Sequence, residues 1–111
     1  MEFSLNIKPL SVNEAWKGRR FKTPEYKSYE KDVLHELPDG DLPAPPYKVH
    51  YEFGFSNKAS DIDNPVKILQ DILQKKYKFD DNLIYEMHVK KVIVKKGEEY
   101  FKVLIEEWGE E

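Results

Sequence analysis

The residues best equipped for chemistry are Asp61-Ile62-Asp63-Asn64-Pro65-Val66-Lys67, followed by Asp71 and by the pair Asp80-Asp81. Two carboxylates one residue apart in an extended segment project to the same side, because strand side chains alternate faces, and so they can share one cation. Carboxylate oxygens suit a hard divalent ion such as Mg²⁺, which takes one or two protein carboxylates plus substrate phosphate. Asn64 and Pro65 read as a helix start, with Asn in the capping position and Pro at the first helical position, where its missing N–H breaks no bond. Lys67 falls four residues after Asp63 and four before Asp71, so the ammonium shares a helix face with both carboxylates. This set suits metal-assisted phosphodiester chemistry. The same string also suits a plain capped turn, since Asp and Asn are common at helix starts.

The full spacing, D-x-D-N-x-x-K-x-x-x-D with a basic loop and then Asp80-Asp81 at the mouth of a strand, resembles the RusA family of Holliday-junction resolvases. Ser11-Val12-Asn13 and the Thr23-Pro24-Glu25-Tyr26-Lys27 helix start look like that family's N-terminal half. The resemblance implies that Asp61, Asp63 and Asp81 are the metal ligands and that Lys67 is the catalytic lysine. It implies Mg²⁺ as the cofactor, with Mn²⁺ as the alternative ion, and a homodimer that cuts four-way DNA junctions symmetrically. It further implies a cytoplasmic protein, encoded by a bacterium or phage, in DNA recombination and repair. Pro65 departs from the family, which more often carries an apolar residue such as Leu there; the acidic positions are unaffected.

Other chemistries find little support. The chain has no cysteine, which excludes thiolate metal sites and thiol nucleophiles. There is no Ser/His pairing and no glycine-rich phosphate loop, so water is the expected nucleophile. His35, His50 and His88 show no metal-site or triad spacing and are expected to be structural or surface residues.

The formal net charge is −3, which by itself argues against a nucleic-acid partner. Its distribution argues the other way. Glu106, Glu107, Glu110 and Glu111 gather at the C-terminus, whereas basic residues group near the start, before Asp80, and around Lys90, Lys91, Lys95 and Lys96. Basic clusters around an acidic pocket fit a DNA groove. The candidate DNA contacts are Asn13, Lys17, Arg19, Arg20, Lys75 and Lys76. Trp16, interleaved with the arginines, suits either stacking on an unstacked base or a place in the core.

These residues must be held by a scaffold that the apolar patterning outlines. Phe3, Leu5 and Ile7 alternate with polar residues as a short strand, and Leu10 to Lys22 has no clean period and reads as a functional loop. Thr23-Pro24 starts a helix that runs to about Leu37, where Pro38-Asp39-Gly40 stops it. A stiff Pro-rich connection follows. Tyr47, Val49, Tyr51, Phe53 and Phe55 form the clearest strand, which delivers the chain towards Asp61. A second helix from about Pro65 to Gln74 carries a broad apolar stripe. Leu83 to Val94 reads as a strand, Lys95-Lys96-Gly97-Glu98 as a hairpin connection, and Tyr100 to Glu107 as the last strand.

The pattern predicts an α+β fold in β-α-β-α-β-β order, a mixed sheet with two helices packed on it. At 111 residues one domain, 1–111, is expected. No apolar run approaches the roughly 20 residues of a membrane span. Two further functional classes fit the same residues: another metal-dependent DNA nuclease acting on flaps or single strands, and a non-catalytic DNA-binding module.

Overall fold

The computed structural model describes residues 1–11, 15–17 and 21–109, with Trp16, Lys17 and Phe21 described in their backbone only. Asn13, Arg19 and Arg20 lie outside the described residues. Strand β1 spans Glu2–Leu5, β2 Trp16–Lys17, β3 Phe21–Lys22, α1 Pro24–Glu36, β4 Tyr47–Phe55, α2 Val66–Tyr77, β5 Ile84–Ile93 and β6 Tyr100–Glu107. The main sheet has the order β1-β6-β4-β5, and β2 and β3 form a separate two-stranded ribbon. Leaving that ribbon aside, the chain order is β-α-β-α-β-β. The expected loop at Leu10–Lys22 thus contains a short antiparallel ribbon, which the lack of an apolar period gave no reason to expect.

Strand β4 sits inside the sheet because its alternate residues are the most apolar of any strand. Tyr47, Val49, Tyr51, Phe53 and Phe55 are all buried, and their partners across β6 include Ile105, Val103 and Phe101. The helices close the same face. α1 contributes Tyr26, Tyr29 and Val33, and α2 contributes Ile68, Leu69, Ile72 and Leu73, to one continuous core. The start of α1 follows from sequence: the Thr23 side chain accepts a hydrogen bond from the Tyr26 amide at 3.2 Å and Pro24 opens the first turn.

The other face of the sheet is polar. Lys48, His50 and Glu52 of β4 stand opposite Glu86, His88 and Lys90 of β5. Here Tyr100 lies over Gly54, where any Cβ would meet its ring at 2.4 Å, so the close approach requires glycine.

The strand β4 pairs parallel with β5 and antiparallel with β6. A parallel neighbour needs a crossover, and α2 supplies it. This corrects the expected hairpin: β5 and β6 are not neighbours, because β4 lies between them. A strand buried along its length must satisfy its backbone groups on both edges. Skipping one strand requires the connection to cover about 10 Å, twice the usual spacing. Residues 94–99 cover it over the C-terminal end of β4, where the Glu99 carboxylate accepts from the Ser56 hydroxyl at 2.8 Å and from the Gly97 amide at 2.7 Å. Among the described residues, no helix is long and apolar enough to cross a membrane.

Candidate active site

Asp61 and Asp63 lie beyond the C-terminal end of β4, on the loop that leads into α2. That is where loops of parallel sheet units place ligands. The expected extended geometry does not hold, however. Residues 62–65 form a turn, the Val66 amide bonds the Asp63 carbonyl at 3.2 Å, and Pro65 occupies the cap position of α2 without a side-chain cap bond. Asn64 does not cap the helix. Its amide instead donates to Asp61 Oδ2 at 3.3 Å. Pro65, in helical conformation, itself takes the cap position, which moves the helix start one residue past the expected Asn64–Pro65 junction.

The helix α2 runs on to Tyr77, beyond the expected end at Gln74, and stops at Lys78, whose φ of 57° is left-handed. Its first turn carries Lys67. The Lys67 ammonium lies 3.0 Å from Asp71 Oδ1 and 3.5 Å from Asp81 Oδ2. Asp63, the other carboxylate expected on that face, is not among its partners. The Asp71 hydrogen bond, followed by the negative charges of Asp71 and Asp81, raises the Lys67 pKa above its ordinary value against the opposing pull of desolvation. Lys67 is therefore an ammonium under all ordinary conditions.

Asp80 and Asp81 have separate tasks. The Asp80 side chain accepts from the Asn82 amide at 3.0 Å and caps the 3₁₀ turn at Asp81–Leu83. Asp81 faces α2. Its backbone amide donates to Gln74 Oε1 at 2.9 Å, while Gln74 Nε2 donates to Asp71 Oδ1 and to the Gln70 carbonyl, both at 3.3 Å. One turn back, the buried Gln70 accepts from the Tyr51 hydroxyl at 3.0 Å. Burial first, then the Asp71 and Asp81 charges, push the Tyr51 pKa up, so this hydroxyl stays a donor. Sequence reasoning missed Gln70 and Gln74. Their signal was present: two amides four residues apart in I-L-Q-D-I-L-Q, inside an otherwise apolar stripe.

The metal expectation divides in two. In kind, the donor set fits a hard cation, since Asp61, Asp63, Asn64 and Asp81 offer only oxygen acceptors. In geometry, no group of three or more His, Asp or Glu among the described residues stands ready to hold an ion. Asp61 is engaged by Asn64 and Asp81 by Lys67. Mg²⁺ ordinarily uses few protein carboxylates and completes its shell with water and phosphate, so an unfinished cage suits an ion that arrives with its substrate.

The basic candidates divide as well. Lys75 and Lys22 both pair with Glu30, at 2.9 and 3.1 Å, and Lys76 pairs with Asp39 at 2.9 Å. Burial raises the Glu30 pKa, but the hydrogen bonds and charges of Lys75 and Lys22 outweigh it and hold the carboxyl below its ordinary value. Lys90 stands 3.9 Å from Glu52. Lys91 donates to the backbone carbonyls of Lys58, at 2.7 Å, and Ser60. The Lys17 side chain lies outside the description. His50 and His88 stack across the β4–β5 pair with ring centroids 5.0 Å apart, each bonded to a glutamate, on the polar sheet face.

A cavity of about 270 Å³ opens beside Asp61 and Asn64, walled by Lys8, Ser11, Phe55 and Glu99. Asp61 and Asn64, at the strand-to-helix junction, thus border an open, mixed-polarity recess. No curated protein matches the chain. The family model for endodeoxyribonuclease RusA matches residues 8–103, a span that takes in the whole site from Asp61 to Asp81, strands β4 and β5, and the first half of β6. The chain belongs to the RusA endodeoxyribonuclease family.

Proposed function

We propose that the protein is a Mg²⁺-dependent, structure-selective endonuclease that resolves four-way DNA junctions by hydrolysis, acting as a homodimer in DNA recombination and repair. The observation that carries this reading is the Lys67 ammonium. It is held between Asp71 and Asp81 on the first turn of the helix that follows Asp61 and Asp63.

Asp61, Asp63 and Asp81 would hold the ion. When bound, it would supply a water of lowered pKa and neutralise charge on the phosphoryl oxygens. The protein's own residues then account for position and charge. Gln74 fixes the Asp81 backbone against α2, and Asn64 steadies Asp61. Lys67 offers a permanent positive charge to the developing phosphorane or the leaving oxygen, the kind of preorganised stabilisation that weighs most at a transition state. A two-fold enzyme matches a two-fold junction, with one site for each of two symmetric cuts.

A Mg²⁺ titration of wild type and Asp63→Asn against a panel of four-way junctions, flaps, nicked duplexes and single strands tests the reading. Metal-dependent, paired cuts confined to the four-way junction, and abolished in Asp63→Asn, are expected. Preferred cutting of flaps or single strands would make it a different nuclease. Binding without any cleavage would make it a DNA-binding module.

A further inference from the structure

We propose that Lys91 is a positioning residue for the acidic turn: from β5 it clamps two carbonyls of the loop before Asp61 and sets the peptide plane from which that aspartate springs. The proposal rests on the reading of Asp61 as a metal ligand. Parallel pairing places Lys91 opposite Phe53, with Ile93 opposite Phe55. Lys91 thus shares with Met87, Val89 and Ile93 the side of the edge strand that continues the buried face of β4. Val89 packs on the core while Met87 and Ile93 are exposed, and alternation there calls for an apolar residue. A lysine there needs partners for its ammonium, and among the described residues no carboxylate lies within ion-pair distance of it. Its partners are the Lys58 carbonyl, at 2.7 Å, and the Ser60 carbonyl, with the Phe55 ring centroid 5.9 Å away.

The Ser60 carbonyl belongs to the same planar unit as the Asp61 amide, because the peptide bond does not rotate. Holding that oxygen therefore orients the Asp61 backbone. Among the described residues the loop is otherwise held at its first residue, where the Ser56 hydroxyl donates to Glu99 at 2.8 Å. Beyond that its bonds are internal, from the Ser60 amide to the Asn57 carbonyl at 3.1 Å and from the Ala59 amide to Asn57 Oδ1 at 2.9 Å. These internal bonds shape the loop without fixing it to the sheet. Lys91 supplies that anchor, and charge-assisted bonds from an ammonium are the stronger kind.

Lys91→Met removes the donors and keeps most of the stem, whereas Lys91→Arg keeps the charge and donors. In metal-free protein, Lys91→Met is expected to speed amide exchange at residues 58–61 by about tenfold while leaving exchange in β4 and α2 unchanged. It should raise the Mg²⁺ concentration for half-maximal single-turnover cleavage of a pre-bound four-way junction by roughly tenfold, the scale seen when support behind a metal ligand is removed. The rate at saturating Mg²⁺ should stay within about threefold of wild type, and Lys91→Arg should recover most of the Mg²⁺ shift.

An unchanged Mg²⁺ midpoint in folded Lys91→Met overturns the proposal, whether or not exchange quickens. So does a loss confined to junction affinity measured in Ca²⁺, which would make Lys91 a DNA contact. If Lys91→Met does not fold, Lys91→Gln, which keeps one donor, replaces it with the same expected directions and the same overturning results. Near-normal cleavage by Asp61→Asn would instead sink the parent reading of Asp61, and the exchange measurement would still decide whether the clamp exists.

Discussion

Lys67 and Asp81 stand 3.5 Å apart although they are fourteen positions apart in the chain, because Gln74 holds the Asp81 backbone against the helix whose first turn carries the lysine. The pair is exposed, and as a surface ion pair it would contribute at most about 1 kcal/mol to stability. Lys67→Ala should accordingly leave the melting temperature nearly unchanged. Single-turnover cleavage of a pre-bound four-way junction should slow by about 10²–10³-fold, the loss expected for a preorganised transition-state donor. Lys67→Arg should rescue poorly, since a planar guanidinium does not reproduce a compact ammonium. A loss below about fivefold, roughly 1 kcal/mol, would reduce Lys67 to a structural ion-pair partner.

Asp61→Asn, Asp63→Asn and Asp81→Asn should each abolish cleavage while junction binding persists. Removing one negative charge also lessens repulsion of the DNA phosphates, so affinity measured without metal should hold or rise. Near wild-type turnover by any of the three at saturating Mg²⁺ would remove that residue from the ligand set.

Gln74 offers a test of support rather than contact. Its amide joins Asp71 to the Asp81 backbone, so Gln74→Leu should leave Asp81 poorly placed. Cleavage should fall by about 10–100-fold with junction affinity unchanged, the usual scale for residues that orient a ligand. Equal loss of binding and cleavage would point instead to a general disturbance of α2.

Glu30 joins β3, α1 and α2 through Lys22 and Lys75, and its pKa is held below 4.5. A depressed carboxylate contributes stability that is present above its unfolded pKa and is lost as pH falls through the folded value. Glu30→Gln should therefore destabilise by about 1 kcal/mol at pH 7. The gap from wild type should close as pH drops from 4.5 through that lower folded value. Denaturant unfolding across this range measures it, and a gap that stays constant with pH would mean that charge is not its source.

Lys75 and Lys76 already have protein partners, which separates two roles they could play. If they also meet phosphate, Lys75→Ala and Lys76→Ala should each lower the log–log salt slope of junction binding by about one unit. An unchanged slope with a lower melting point would confine both lysines to their ion pairs with Glu30 and Asp39.

The sequence by itself determined what rests on neighbours within a turn or a strand. Alternation from Tyr47 to Phe55 revealed β4 and its buried face, Thr23-Pro24 marked the start of α1, and the apolar stripe from Val66 to Leu73 marked α2. The element order and the mixed α+β class followed from these local signals. So did the acidic candidates, whose spacing is itself a local property.

Tertiary structure decided what depends on which distant segments meet. The hairpin expected at Lys95–Glu98 failed because β4 needs partners on both edges, a demand no turn sequence expresses. Asp63 lies on the turn at 62–65 and Asp61 just before it, neither of them on a strand. The family resemblance already picked Asp81 over Asp80, but only the fold separated their surroundings: Asp80 caps a turn, whereas Asp81 meets Lys67 and its amide is bonded to Gln74. Lys91 looked like one more basic residue until the parallel register brought it beneath the carbonyls of Lys58 and Ser60. Side-chain period and capping are written over a few residues, whereas strand pairing and the bonds it brings together emerge only when the whole core is satisfied at once.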